Sequence, residues 1–376
     1  GRAALALALA LLIYAALAGG YAVWTGRRRL LESAQSALIA AFGATAVATA
    51  VLFLAMAFND FSFRYAWEHT SRDLPTMYRI SALWGGQEGS LLLWMLILTL
   101  VAAAAVVFNR KLVTNVLPWA TPLFGVVGLF FAIVLVFVST PFGAQAAPPD
   151  GLGLNPSLQN PYMAAHPPLL YLGYVGITVP FVFAMAALVS RQVDERWIVA
   201  TRRWTLFAWS SLGFGILLGA KWAYEEVGWG GWYAWDPVEN AALMPWLVAT
   251  AYLHSVMIQE KKNMLRVWNV VLISLTFTLA LFGTFLTRSG VLNSIHSFAE
   301  SSIGGWFLGF IAVVAIGTTL LIISRLPLLR ARSKLESMLS REAAFLYNNL
   351  FLVALALTVL WGVSWPLVSE AIRGVA

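Results

Sequence analysis

Ten runs of apolar residues, separated by short polar stretches, organise this chain. They lie near 3–24, 36–58, 91–108, 122–139, 169–189, 205–222, 241–258, 268–287, 303–323 and 345–366. Each approaches the roughly 20 residues that a bilayer core requires. Backbone amides inside a bilayer have no water to bond, so such runs must be helices. The pattern predicts an all-α, polytopic membrane bundle of about ten spans, one transmembrane domain over 1–376. The first run is longer than the core of a cleaved signal, and Arg27, Arg28 and Arg29 follow it as a stop. It is expected to stay as a span. The sequence begins at Gly1 rather than Met, so a few residues are expected before it.

Charge orients the spans. The loops 25–35, 109–121, 190–204, 259–267 and 324–344 hold 17 of the 24 Lys and Arg residues but only six acids. The positive-inside rule puts these loops in the cytoplasm and both termini outside. The same distribution disposes of nucleic acid as a partner, because the net charge of +7 is topology rather than a polyanion patch. The bilayer is the expected partner instead. With no cysteine in the chain, disulfides, thiolate metal sites and cysteine nucleophiles are excluded. Phosphate-binding glycine loops, zinc spacings and nucleophile elbows are absent as well.

The loops on the other side differ in kind. Loop 59–90 is polar and aromatic, loop 140–168 is rich in Pro, Gly and Asn, and loop 288–302 is short and polar. Between them, in 221–246, stands Trp229-Gly-Gly-Trp232-Tyr233-Ala-Trp235-Asp236-Pro-Val-Glu-Asn240. Rings exposed at an aqueous edge waste apolar area unless something flat covers them. Glycine lets the backbone approach whatever lies on top. The expectation is a shelf for a large planar ligand. Asp236-Pro237 also reads as a helix start, with Asp as cap and Pro in the first turn.

Only four histidines occur. His166 and His296 fall in outer loops flanking the shelf. Two imidazoles from separate loops suit the iron of a haem, one from each side. The plain alternative is a pair of solvated loop residues. His254 lies inside the span 241–258, about four turns from its outer end, where an ionisable residue is expensive and functional by default. Trp246 and Thr250 share its face at i, i+4 spacing. Its alternative is a histidine satisfied by a neighbouring helix. Arg288 is one of few outer bases. It reads either as the partner of a propionate carboxylate or as a snorkelling anchor. The glycines of Trp84-Gly-Gly-Gln87-Glu-Gly-Ser90 read as a ligand seat or as an ordinary cap. Lys221, Glu225 and Glu226 read as an interfacial charge cluster.

These residues together resemble a known family. Trp229 through Trp246 is similar to the tryptophan-rich "WWD" signature of haem-handling proteins. Trp84 through Trp94, His166-Pro-Pro-Leu-Leu-Tyr171 and Thr287-Arg-Ser-Gly290 resemble CcmF, the haem lyase component of cytochrome c maturation, in order and spacing. The resemblance runs from about residue 59 to the end. It implies that His166 and His296 hold the iron of haem delivered to Trp229, Trp232, Tyr233 and Trp235. It implies that His254 is one axial ligand of a resident b-type haem that keeps that iron reduced. It implies apocytochrome c as substrate, a haem chaperone (CcmE) and a thiol- or apocytochrome-holding subunit (CcmH) as partners, and a bacterial inner membrane with the active face outside. Tyr233 stands where the signature usually has a second adjacent Trp, and Gln87 where many members have His. The family's partner of His254 is a histidine in a later span, and none follows His296. The chain is then a truncated form, one piece of a split protein, or incomplete at the b haem. The function expected is joining haem to apocytochrome c through thioethers. A haem transporter or presentation scaffold without chemistry is the alternative.

Overall fold

The computed structural model describes residues 1–109, 115–288, 303–330 and 337–374. Among them the protein is helical with no strand, apart from one isolated bridge between Phe63 and Ala144. Helices α1 (Arg2–Thr25), α2 (Arg28–Ala57), α3 (Arg64–His69), α4 (Thr76–Ser81), α5 (Gln87–Asn109) and α6 (Leu117–Ile133) form the first half. Then come α7 (Pro161–Gly176), α8 (Thr178–Val189), α9 (Arg196–Glu226), α10 (Pro237–Lys262), α11 (Arg266–Arg288), α12 (Gly304–Leu329) and α13 (Arg341–Arg373). Ten segments are long and apolar enough to cross a membrane, α7 and α8 counting as one span broken at Ile177. Pro180 explains the break, because without an N–H it cannot bond the carbonyl of Gly176.

All ten expected spans are present, but their ends lie elsewhere. Hydropathy reads the membrane-buried part of a helix, whereas caps decide where it stops. The Asn160 side chain accepts the Tyr162 N–H at 2.8 Å and Pro161 occupies the first turn, so α7 starts eight residues before its apolar run. His166 is therefore helical rather than part of a loop 140–168. Likewise α9 continues past its expected end at 222 to Glu226, which makes Glu225 and Glu226 helical although they fall in the loop range 221–246. Helix α5 begins at Gln87, inside the expected loop 59–90.

Helix α1 packs on α2 and α6, α7 on α9, and α10 on α9, α11 and α13. The α7–α9 seam is tight. A Cβ on Gly173 would lie 2.5 Å from the Leu212 Cβ, so only glycine lets these backbones meet. Helices α12 and α13 bury few of their residues and present apolar side chains outward. At the end that carries the tryptophan loop, segments 59–75 and 143–153 are stitched together. Arg64 N–H donates to Gly143 at 2.8 Å and Leu152 N–H to Trp67 at 2.8 Å. Asp150 accepts the N–H groups of Arg72 and Gly151 at 2.9 and 2.7 Å, which hold its carboxyl below the usual range.

Gly173→Val should overpack the α7–α9 seam at a cost of about 1–3 kcal/mol. Gly20→Val, at a glycine with open space around it, should cost far less. Thermal melts of both variants in detergent check this.

Candidate functional site

Helix α7 sets Tyr162 and His166 four residues apart on one face. The His166 imidazole stacks on Trp222 of α9, centroids 6.0 Å apart and planes within 12°. Trp222 is fully buried and its indole N–H donates to the Ser157 carbonyl at 2.8 Å. That bond fixes the plane against which the imidazole lies. The ring fits only because position 219 is glycine, where a Cβ would sit 2.9 Å from Nδ1. Asn160, the cap of α7, also donates to Glu225 at 3.1 Å and Glu226 at 2.9 Å on α9. One side chain thus starts the histidine helix and ties it to the helix leading into the tryptophan loop.

The loop turns at Gly228 and Gly230, both at φ near +75° (75° and 74°), which glycine adopts without strain. Trp235 also takes a positive φ of 61°, a costly setting for a bulky residue. The loop is closed by a reciprocal cap at Asp236, as its sequence suggested. The Asp236 carboxylate accepts the Val238 N–H at 2.9 Å, and Glu239 accepts those of Ala234 and Asp236 at 3.1 and 3.3 Å. Tyr233 donates its hydroxyl to Asn240, whose amide donates to the Trp235 carbonyl at 3.2 Å. Burial, and then the charges of Glu239 and Asp236, push the Tyr233 phenol up to about 12, so it remains a donor at neutral pH.

The four loop rings do not share one partner. Trp229 donates to the Gly231 carbonyl at 2.8 Å and packs on the core. Trp232, 51% exposed, stacks on Tyr224 with centroids 5.7 Å apart. Trp235, 50% exposed, leans on Gly362 of α13. Tyr233 lines a small cavity of about 430 Å³, open solvent at its mouth included, together with His166, Gly219, Ala220, Val238 and Glu239. A larger cleft of about 900 Å³, including its open mouth, adjoins it. Trp84, Trp94, Tyr171 and Arg288 line that cleft, and His166, Leu170 and Val238 belong to both walls. His166 therefore stands where two cavities meet, with the loop on one side and Arg288 on the other. The Arg288 guanidinium donates to the Tyr171 hydroxyl at 3.1 Å.

The remaining candidates sit as follows. The glycines near Trp84 serve packing first. Gly86 and Gly89 lie against His69 and Tyr65, and the Tyr65 hydroxyl accepts the Gly86 N–H at 3.0 Å. Trp84 and Gly85 nevertheless line the cleft. His296 lies outside the described residues, in the segment that follows Arg288. His254 meets α13, where Asn348 bonds Nδ1 at 2.8 Å and Phe345 lies 5.8 Å away. Trp246 and Thr250, on the same face, turn instead toward α9. Trp209 stacks on Trp246 at 5.6 Å and donates to Thr250 at 2.8 Å. Sequence reasoning passed over Trp222 and Gly219, which carry no motif of their own, and met Tyr171 only as the end of the His166-Pro-Pro-Leu-Leu-Tyr171 motif. Asn348 and Asn349, two amides in an apolar span, were a legible signal.

Residues 84–293, which include both cavities, the loop and His254, match the family described as cytochrome C assembly protein. CcmF of Escherichia coli K12 is 41% identical over 376 residues, covering 98% of this chain and 57% of that protein. CycK of Rhizobium meliloti, also a cytochrome c-type biogenesis protein, is 43% identical over 100% of this chain and 56% of its own length. The chain belongs to the CcmF family. A solved structure of the cytochrome c haem lyase CcmF matches with a TM-score of 0.81 at 33% identity, over 98% of this chain and 56% of that one. With ten segments among its described residues long and apolar enough to cross a membrane, this CcmF-family chain is a multi-pass membrane protein. It spans a little over half the length of these relatives.

Asp236→Ala should loosen the first turn of α10 and the end of the loop by about 1 kcal/mol, whereas Asp236→Asn keeps the cap. Melting temperatures of the two variants in detergent provide the comparison.

Proposed function

We propose that this chain seats haem, as substrate, between the tryptophan loop and Arg288 for attachment to apocytochrome c. The observation that carries the reading is His166 in the shared wall of two adjoining cavities, one lined by Tyr233 and the other by Arg288. A flat, apolar ligand with an iron at its centre and carboxylates on one edge matches that order. His166 would meet the iron, the aromatic walls the macrocycle, and Arg288 a propionate. His296, in the segment after Arg288, is proposed as the opposing ligand. The stack on Trp222 orients His166 before the ligand arrives, which lowers the ordering cost of binding.

Thioether formation adds a cysteine S–H across each vinyl C=C. Sulfur bonds the carbon beside the ring, hydrogen ends on the terminal carbon, and nothing leaves. The chain contributes no thiol of its own, so both come from apocytochrome c. The protein's part is placement of vinyl and thiol within near-attack distance. A haem chaperone and a subunit that presents apocytochrome thiols are the proposed partners, and the extracytoplasmic side of a bacterial inner membrane the proposed location.

For a resident b-type haem, His254 offers one ligand. Asn348 engages Nδ1 and so steadies the ring while Nε2 is the nitrogen left for iron. Such a haem would relay electrons from an external reductant to the substrate iron and so help to keep it ferrous. The second axial ligand is not among the described histidines.

Optical spectra of the purified chain separate these assignments. His166→Ala should weaken uptake of added haem at least tenfold, with recovery in exogenous imidazole. Val238→Trp, which fills the junction without removing a ligand, should block uptake equally. His254→Ala should abolish b-type bands in the reduced-minus-oxidised spectrum and leave uptake of added haem intact. Unchanged uptake in both His166→Ala and Val238→Trp would refute the seat.

A further inference from the structure

Lys221 has no part in the reading so far, yet it is surrounded by aromatic faces. Its ammonium lies 5.7 Å from the ring centre of Tyr162, 5.4 Å from Tyr224 and 5.6 Å from Trp232. All three distances fall within the range of cation–π attraction. Glu225 accepts from the same ammonium at 2.9 Å, and Asn160 in turn binds Glu225 and Glu226. A lysine normally samples many rotamers at a cost when fixed. Here the chain holds it from four directions. Carboxylates and ring faces are all groups that favour a cation, so the pocket suits the lysine itself rather than an anionic ligand.

We infer that Lys221 is a positioning residue: its ammonium latches Trp232 to the last turns of α9 and so sets where the tryptophan loop stands. The loop has two glycine turns before Trp232, at Gly228 and Gly230, where the backbone takes a positive φ. Beyond Trp232 it is anchored by Tyr233, Asn240 and the Asp236 cap. Trp232 stacks on Tyr224 of α9, and it is half exposed. Tyr224 supplies the stack and Lys221 the charge. The same cluster reaches His166, since Tyr162 lies one turn before it on α7 and Trp222, its stacking partner, follows Lys221 directly. A single network of Asn160, Glu225, Lys221 and Trp232 thus couples the position of the loop to the helix that carries the histidine.

The chain has no cysteine, so a spin label placed beside Trp232 on its glycine side through Gly231→Cys, where an added Cβ meets nothing closer than 3.8 Å, is unique. In the full chain in detergent, Lys221→Met keeps the apolar stem and removes the charge. Its label should become more mobile by electron spin resonance, and its haem dissociation constant should rise roughly two- to fivefold. Lys221→Arg, which retains a cation over the rings, should restore both. An unchanged label in Lys221→Met overturns the latch. So does a Lys221→Arg variant as mobile as Lys221→Met, because the charge would then not be the cause. The affinity measurement rests on the loop being the haem seat, and the mobility measurement does not. Greater mobility with unaltered haem affinity would therefore support the latch and count against the seat.

Discussion

Everything at the candidate site depends on how closely α7 and α9 approach. Gly173 lets Leu212 in, Gly219 admits the His166 ring, and Trp222 becomes the surface on which that ring lies. An imidazole at the end of a membrane bundle otherwise has a choice of rotamers and of water. Here its plane is decided by an indole whose own N–H is committed to Ser157. Asn160 then reaches across the same seam to Glu225 and Glu226. The seam therefore sets the position of the histidine, of the loop that follows α9, and of the two cavities between them.

The bundle was legible because a bilayer leaves the backbone no alternative to helix. Ten apolar runs became ten spans. What hydropathy could not show was where the helices stop, since Asn160, Pro161 and the Asp236 cap are polar decisions outside the apolar run. That is why His166 belongs to a helix, although it lies where hydropathy predicts a loop. The Asp236 cap itself was readable, because Asp-Pro with Glu three positions after Asp is a local pattern with a local cause.

The site was legible in its residue types and less so in its arrangement. Density of tryptophan suggested one flat shelf. The structure turns the four rings to different neighbours, and only Tyr233 lines the cavity shared with His166. Ring orientation depends on tertiary partners such as Tyr224 and Gly362, which are far from the motif or unremarkable in sequence. His254 behaves similarly. Its depth flagged it, but Asn348 on α13 could be identified as its partner only once α10 and α13 were seen to pack together.

The absence of cysteine makes a direct test of the haem seat possible. Ala220 and Ala242 line the cavity shared by His166 and Tyr233, whereas Ser210 lines a separate groove between α9 and α10. A thiol installed at the seat would lie where an apocytochrome thiol has to reach and would trap the haem vinyl on the chain. Mass spectrometry of denatured protein after incubation with reduced haem reads this out. Covalent haem on Ala220→Cys or Ala242→Cys, and none on Ser210→Cys, is the predicted result. Covalent haem on Ser210→Cys alone, or on none of the three while haem still binds, would contradict the seat.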